Sequence, residues 1–211
     1  MKHKTYYKNI RKNVFSLISD QTYTTALDIG CGYGGNIDYL LSKGLILSGV
    51  GIEPANLEFR NTQAKIINIT IEDFLASGKE SGKFDLILLL DVLEHLSEPE
   101  EILAKLSMLL NEKGAILISL PNVRNFRVFW SIFILGVFPR NKEGIFDGTH
   151  LRWFTKKTFL DIIRESDTYV CEKASDTGLE KGKKLYFANF LTLGLFRDFL
   201  TFQNVFLLRL K

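Results

Sequence analysis

A chain of 211 residues is long enough to bury most of its apolar surface in one domain, and 46% hydrophobic with 24% charged residues excludes a disordered chain. The formal charge of +3 is small and the basic residues are scattered, so composition gives no reason to expect a nucleic-acid partner. Cys31 and Cys171 lack metal-ligand spacing and exclude a disulfide framework, which suits a reducing, cytoplasmic compartment.

In chain order, residues 9–18 read as a helix with Ile10, Val14, Leu17 and Ile18 on one face. The basic N-terminus has no apolar run behind it and does not read as a signal peptide. Residues 24–29 form a short strand that ends in a glycine-rich turn, and 36–43 continue as a helix. Strands follow at 45–52 and 64–71. Residues 84–90 are almost continuously apolar, as a parallel strand covered on both faces must be. Residues 98–110 repeat apolar positions at helical spacing behind Pro99, Gly114 closes that helix, and 115–120 are the next strand. Residues 121–154 break the alternation. Thr155 then caps a helix through Ile163, and strands follow at 169–174 and 205–210.

This alternation predicts an α/β fold: a mostly parallel, doubly wound sheet in a single domain over 1–211, with a segment inserted at about 121–154. Within the insert, Phe126, Phe129, Trp130, Phe133 and Val137 fall at roughly helical spacing. Three readings are open: a helix packed on the domain, a lid over a pocket, or shallow contact with a membrane surface. The tail, with Lys181, Lys183 and Lys184 ahead of Leu185, Phe187, Phe190, Leu191, Leu193, Leu195 and Phe196, suits the core, a homodimer interface or anionic lipid. Neither stretch reads as a membrane span, which needs ~20 apolar residues without such charges as Arg127, Arg197 and Asp198.

The strongest motif is Leu27-Asp28-Ile29-Gly30-Cys31-Gly32-Tyr33-Gly34-Gly35, after a strand and opening a helix. Glycine permits the tight turn and lets a nucleotide ligand approach the backbone. The GxGxxG pattern by itself suits NAD or FAD equally. Asp28 discriminates: a carboxylate there opposes a pyrophosphate and attracts the ammonium of a methionine moiety. Glu53, ending the second strand, can accept hydrogen bonds from both ribose hydroxyls.

These residues resemble the S-adenosylmethionine signature of class I methyltransferases. Residues 84–96 (FDLILLLDVLEHL) are similar to the fourth-strand motif of that superfamily, and 114–122 (GAILISLPN) to its fifth strand and exit. Residues 147–155 (DGTHLRWFT) resemble a segment of a bacterial small-molecule branch. The resemblance implies a Rossmann-like class I methyltransferase fold with seven strands, helices on both faces and an antiparallel last strand. It implies S-adenosylmethionine as cofactor and S-adenosylhomocysteine as product. Asp28, Gly30 and Gly32, with Cys31 between the glycines, then line the methionine end and Glu53 holds the ribose. Leu90 and Asp91 approach the methionyl part, and adenine meets the Ile71 backbone and Glu72. Thr70 stands where the family usually has Asp, and Tyr6, Tyr7 and Arg11 resemble a lead-in that closes over the cofactor.

Transfer to a hydroxyl needs a base, and His150 and His95 are the candidates, His150 ranked ahead because it lies in the loop behind the aromatic piece, where acceptor contacts usually lie in this fold. Asp147 orients His150 or caps a turn. Glu94 and His95 alone do not make a coordination sphere, so no metal is expected. The expected acceptor is a small molecule accepting at oxygen: a sugar, a lipid-linked glycan precursor or a quinone-like compound. A non-catalytic cofactor-binding or membrane-associated partner protein and an NAD-dependent oxidoreductase are the alternatives. The expected location is cytoplasmic, with contact at the inner face of the membrane open.

Overall fold

The computed structural model describes residues 10–57, 62–78, 82–179 and 184–211. Tyr6, Tyr7, Lys181 and Lys183 lie outside them. Seven strands form one sheet in the order β3-β2-β1-β4-β5-β7-β6. They are β1 (Tyr23–Ile29), β2 (Ile46–Ile52), β3 (Lys65–Ile67), β4 (Phe84–Leu90), β5 (Leu110–Pro121), β6 (Tyr169–Thr177) and β7 (Gln203–Leu210). The first five pair in parallel, and β7 runs antiparallel to both β5 and β6.

Alternation of side chains along each strand divides the core between two faces. Leu27, Ile87, Leu89, Ile116, Ile118, Phe206 and Leu208 face one layer, packed with α2 (Ile71–Ser77), α3 (Pro99–Leu106) and α5 (Lys156–Glu165). Ala26, Leu86, Leu88, Leu117, Val205 and Leu207 face the other, against α1 (Gly35–Ser42) and a 3₁₀ segment, Lys12–Leu17. Each of the central strands is therefore buried on both sides. Thr155 caps α5 through a reciprocal pair with Thr158, and Phe159 and Ile163 on its inner face are buried. Among the described residues no helix is long and apolar enough to cross a membrane.

Several boundaries differ from those predicted. The N-terminal helix over 9–18 is only the 3₁₀ segment Lys12–Leu17 in the described residues. The third strand stops at Ile67, and Ile71 opens α2 instead, because Thr70 Oγ1 accepts the Asp73 N–H at 3.1 Å and caps the helix. The helix predicted over 98–110 ends at Leu106, and β5 begins at Leu110. Gly114 thus lies inside a strand: a Cβ there would stand 2.8 Å from Leu110. The insert holds a short helix, α4 (Phe126–Phe129), continued by a π-helical turn, Trp130–Ile134. The tail folds as α6 (Lys184–Leu191) and α7 (Arg197–Leu200).

Gly51 on β2 is a packing glycine. A Cβ at this position would lie 2.5 Å from Cys31 Sγ and 2.9 Å from Cys31 Cβ. Gly51→Val should cost about 1–3 kcal/mol by overpacking. Thermal melting should show a midpoint lower by roughly 2–12 °C for a chain this size; an unchanged midpoint would mean that the Cys31 turn yields freely.

Candidate active site

In an open α/β sheet ligands gather at the carboxyl ends of strands where the strand order reverses. Here that point lies between β1 and β4. The turn after β1 holds Gly30 at φ +71° and Gly32 at φ +54°, a backbone conformation that side chains rarely adopt. In this turn the Gly32 N–H donates to Glu53 Oε2 at 3.0 Å, while the Ala55 N–H donates to Oε1 at 2.9 Å. Glu53 is thereby fixed at the end of β2, facing the glycine turn.

A cavity of about 410 Å³ opens over these groups. Its wall takes Gly30, Cys31 and Gly32 from the turn, Glu53 from β2, Ile71 and Glu72 from the start of α2, and Leu90 and Asp91 from the end of β4. His95 also reaches it. Burial, reinforced by the Asp28 and Glu53 carboxylates, pushes the Cys31 thiol far above its ordinary range, so Cys31 contributes shape and no thiolate. Asp28 departs from expectation. It is buried behind the wall, and Asn36, which does line the cavity, donates to its Oδ2 at 3.4 Å. Burial pushes its carboxyl up to about 7; the Asn36 amide opposes the rise and the Glu53 charge adds to it.

A second cavity, of about 670 Å³, lies beside the first. Phe126, Trp130, Leu135 and Pro139 of the insert wall it on one side, His150 and Phe146 on another. Arg11 and Asp91 line both cavities. Asp91 sits at φ +59°, a strained conformation for a residue with a side chain. Its carboxylate is pinned from three directions: by the Ser119 hydroxyl at 2.8 Å, by the Gln203 amide at 2.7 and 2.8 Å, and by an ion pair with Arg11. Ser119 and Gln203 escaped the sequence reading. The parallel pairing of β5 on β4 sets Ser119 opposite Leu90, and the antiparallel pairing of β7 on β5, with Gln203 opposite Pro121, brings Gln203 to the same carboxylate.

The two histidines meet edge to face, ring centroids 4.7 Å apart. His95 Nδ1 lies 3.1 Å from both the Thr149 carbonyl and its hydroxyl. His150 Nδ1 faces the Ile145 carbonyl at 3.2 Å; a carbonyl only accepts, so Nδ1 carries the proton and Nε2 is the basic nitrogen. The buried Glu94 carboxylate lies 3.9 Å from that Nε2. Asp147 takes the Thr149 N–H and hydroxyl at 2.9 and 2.6 Å, which shapes the turn that presents His150. One ligand atom each from Glu94, His95 and His150 fall within 4.8 Å of one another, a set that suits a proton relay or a divalent cation. The expectation of no metal weighed Glu94 and His95 without His150.

Residues 2–172 match the family model described as a methyltransferase domain. The chain belongs to this methyltransferase family. Over 124 residues it is 32% identical to the ubiquinone biosynthesis O-methyltransferase of Histophilus somni (strain 2336), covering 54% of this chain and 51% of that protein. The chain spans about half the length of the curated relatives it matches first. Solved structures share the fold across nearly all of it. A SAM-dependent methyltransferase from Archaeoglobus fulgidus aligns with a TM-score of 0.64 at 16% identity, covering 99% of this chain and 95% of the other. The plantazolicin methyltransferase BpumL, in complex with SAH, aligns with a TM-score of 0.61 at 18% identity, covering 99% and 81%.

Proposed function

We propose that this member of the family binds S-adenosylmethionine in the cavity over the glycine turn and promotes methyl transfer to an oxygen of a small acceptor held in the second cavity. The observation that carries the reading is the shared wall: Arg11 and Asp91 border both spaces, so donor and acceptor groups would meet across Asp91. The donor set fits the cofactor. A buried carboxylate at the end of β2 suits ribose hydroxyls, the glycines leave room for close backbone approach, and Asp28 with Asn36 offers a countercharge to an ammonium. When bound, S-adenosylmethionine supplies a methyl carbon activated by its sulfonium. What remains for the chain is to align the acceptor oxygen and take its proton, and alignment alone supplies ~7–11 kcal/mol in favourable cases.

For the acceptor we favour a hydroxylated aromatic of quinone-like type over a sugar or glycan precursor. Phe126, Trp130, Phe146 and Phe202 wall the second cavity, a surface that stacks on a flat ring. The ubiquinone-biosynthesis names of the relatives point the same way. Incubation with S-adenosylmethionine and a catechol bearing an isoprenoid tail, read by mass spectrometry, should give a single O-methylated product. Cofactor binding without transfer to any hydroxylated ring or sugar would favour a non-catalytic binding role instead.

Asp28 adds a pH dependence. Its ordinary value is 3.8 and its folded value about 7, so between these the folded chain holds a proton that the unfolded chain has released. Its contribution to stability is therefore present below pH 3.8 and is lost as pH rises towards 7. A cationic ligand group favours the ionised carboxylate, so affinity for S-adenosylhomocysteine should rise from pH about 5.5 to about 7.5 and flatten beyond. Asp28→Asn should remove most of that slope; a flat profile in the unaltered protein would separate Asp28 from the ligand.

A further inference from the structure

The largest feature the catalytic reading does not use is an apolar surface. Phe133 is 72% exposed, Leu193 91% and Leu195 84%; Phe129, Trp130, Ile134, Leu135, Phe138, Phe190 and Phe196 are exposed beside them. Such a surface far exceeds the scattered exposed leucines of ordinary monomers. It is continuous across two segments distant in sequence. Phe129 of α4 packs on Phe199 of α7, centroids 6.2 Å apart, and Phe199 meets Phe196 at 6.4 Å. Underneath, Asn122 and Asn125 donate to the carbonyl of Thr201 at 3.1 and 2.9 Å, and Arg124 pairs with Asp198.

Charge indicates the occupant. Over residues 121–143 four basic residues, Arg124, Arg127, Arg140 and Lys142, stand against one acid, Glu143. Arg127, Arg140 and Lys142 are exposed and make no ion pair among the described residues. An apolar face rich in aromatics and rimmed by unneutralised cations complements an anionic lipid surface: the aromatics enter the headgroup boundary and the cations meet phosphates. A second copy of this chain would bring the same cations against each other.

We infer that α4, its π-helical continuation and the α6–α7 tail form one docking face for an anionic bilayer, with the acceptor cavity opening through it. Phe126, Trp130 and Leu135 belong both to the exposed face and to the cavity wall, so a lipid-tailed acceptor can enter without crossing water. The docking stands on the surface alone, whereas delivery of the acceptor rests on the methyl-transfer reading.

Both tryptophans of the chain are exposed: Trp130 belongs to this face, and Trp153 joins it through Phe138, ring centroids 5.9 Å apart. Intrinsic tryptophan emission therefore reports on this face. The full chain should co-sediment with vesicles of phosphatidylcholine and phosphatidylglycerol, with a blue-shifted emission, and bind pure phosphatidylcholine vesicles at least about tenfold more weakly. Phe133→Asp with Leu193→Asp, both outside the cavity walls, should lower the bound fraction about tenfold or more while S-adenosylhomocysteine binding is retained. No sedimentation and no emission shift in the unaltered chain would overturn the proposal. So would a stable dimer in solution that those two substitutions dissociate without any vesicle binding. Vesicle binding by a chain that does not bind S-adenosylhomocysteine would sink the functional reading and leave the docking intact.

Discussion

Glu53→Ala should weaken S-adenosylhomocysteine binding by about 10²-fold or more. Hydrogen bonds to a charged group contribute roughly 1.5–3 kcal/mol each, and in the proposed site the ribose would offer this carboxylate two hydroxyls. The loss has a second component. Glu53 also receives the Gly32 and Ala55 N–H groups, so its removal frees the glycine turn that forms one side of the cavity wall. Glu53→Gln keeps one acceptor oxygen and should lose about tenfold. Calorimetric titration of the two variants separates the contributions, and unchanged affinity in Glu53→Ala would remove the ribose from this end of β2.

His150→Ala should reduce methyl transfer by about 10²–10⁴-fold with S-adenosylhomocysteine affinity unaltered, the range expected for loss of a general base. The split follows from the walls: His150 borders the acceptor cavity and not the cofactor cavity. Its Nε2 is the basic nitrogen, and the Glu94 carboxylate at 3.9 Å can pair with the imidazolium formed when it takes a proton. His95 borders the cofactor cavity, so His95→Ala should disturb affinity as well as rate. Equal losses of rate and cofactor affinity in His150→Ala would discard the base assignment. The Glu94, His95 and His150 cluster supplies a further discriminating outcome. If chelation silences the unaltered protein and a divalent cation restores it, His150 acts as a ligand; activity indifferent to chelation leaves it as the base.

The parts of the fold that were legible in the sequence are those in which local pattern and tertiary burial agree. β4 is a central strand covered on both faces, and its unbroken apolar run reads as one. The glycine turn announces itself because positive φ at Gly30 and Gly32 demands that residue type. The β3–α2 junction was misread because Ile69 and Ile71 continue a strand-like alternation across it, although Thr70 three residues ahead of Asp73 carries the cap signal. The polar opening of β5 was hidden because Asn111 and Gly114 look like a helix exit, while pairing of Leu110 with Phe84 draws them into the sheet.

For the site, residues adjacent in sequence to a glycine turn or strand end could be named, and all of these except Asp28 line the cavity over the glycine turn. The Arg11–Asp91–Gln203–Ser119 cluster could not, since its members come from the N-terminal segment and the ends of three strands. Likewise the contact between His95 and His150, and the union of the insert with the tail, depend on long-range packing that no spacing rule encodes.

The most direct measurement is calorimetric titration of the intact chain with S-adenosylmethionine, S-adenosylhomocysteine and NAD. Saturable binding of the two adenosyl ligands, with no heat from NAD, is the expected result. Binding of NAD alone would contradict the cofactor assignment and turn the glycine turn into a dinucleotide site; no binding of any of the three would contradict the cofactor cavity itself.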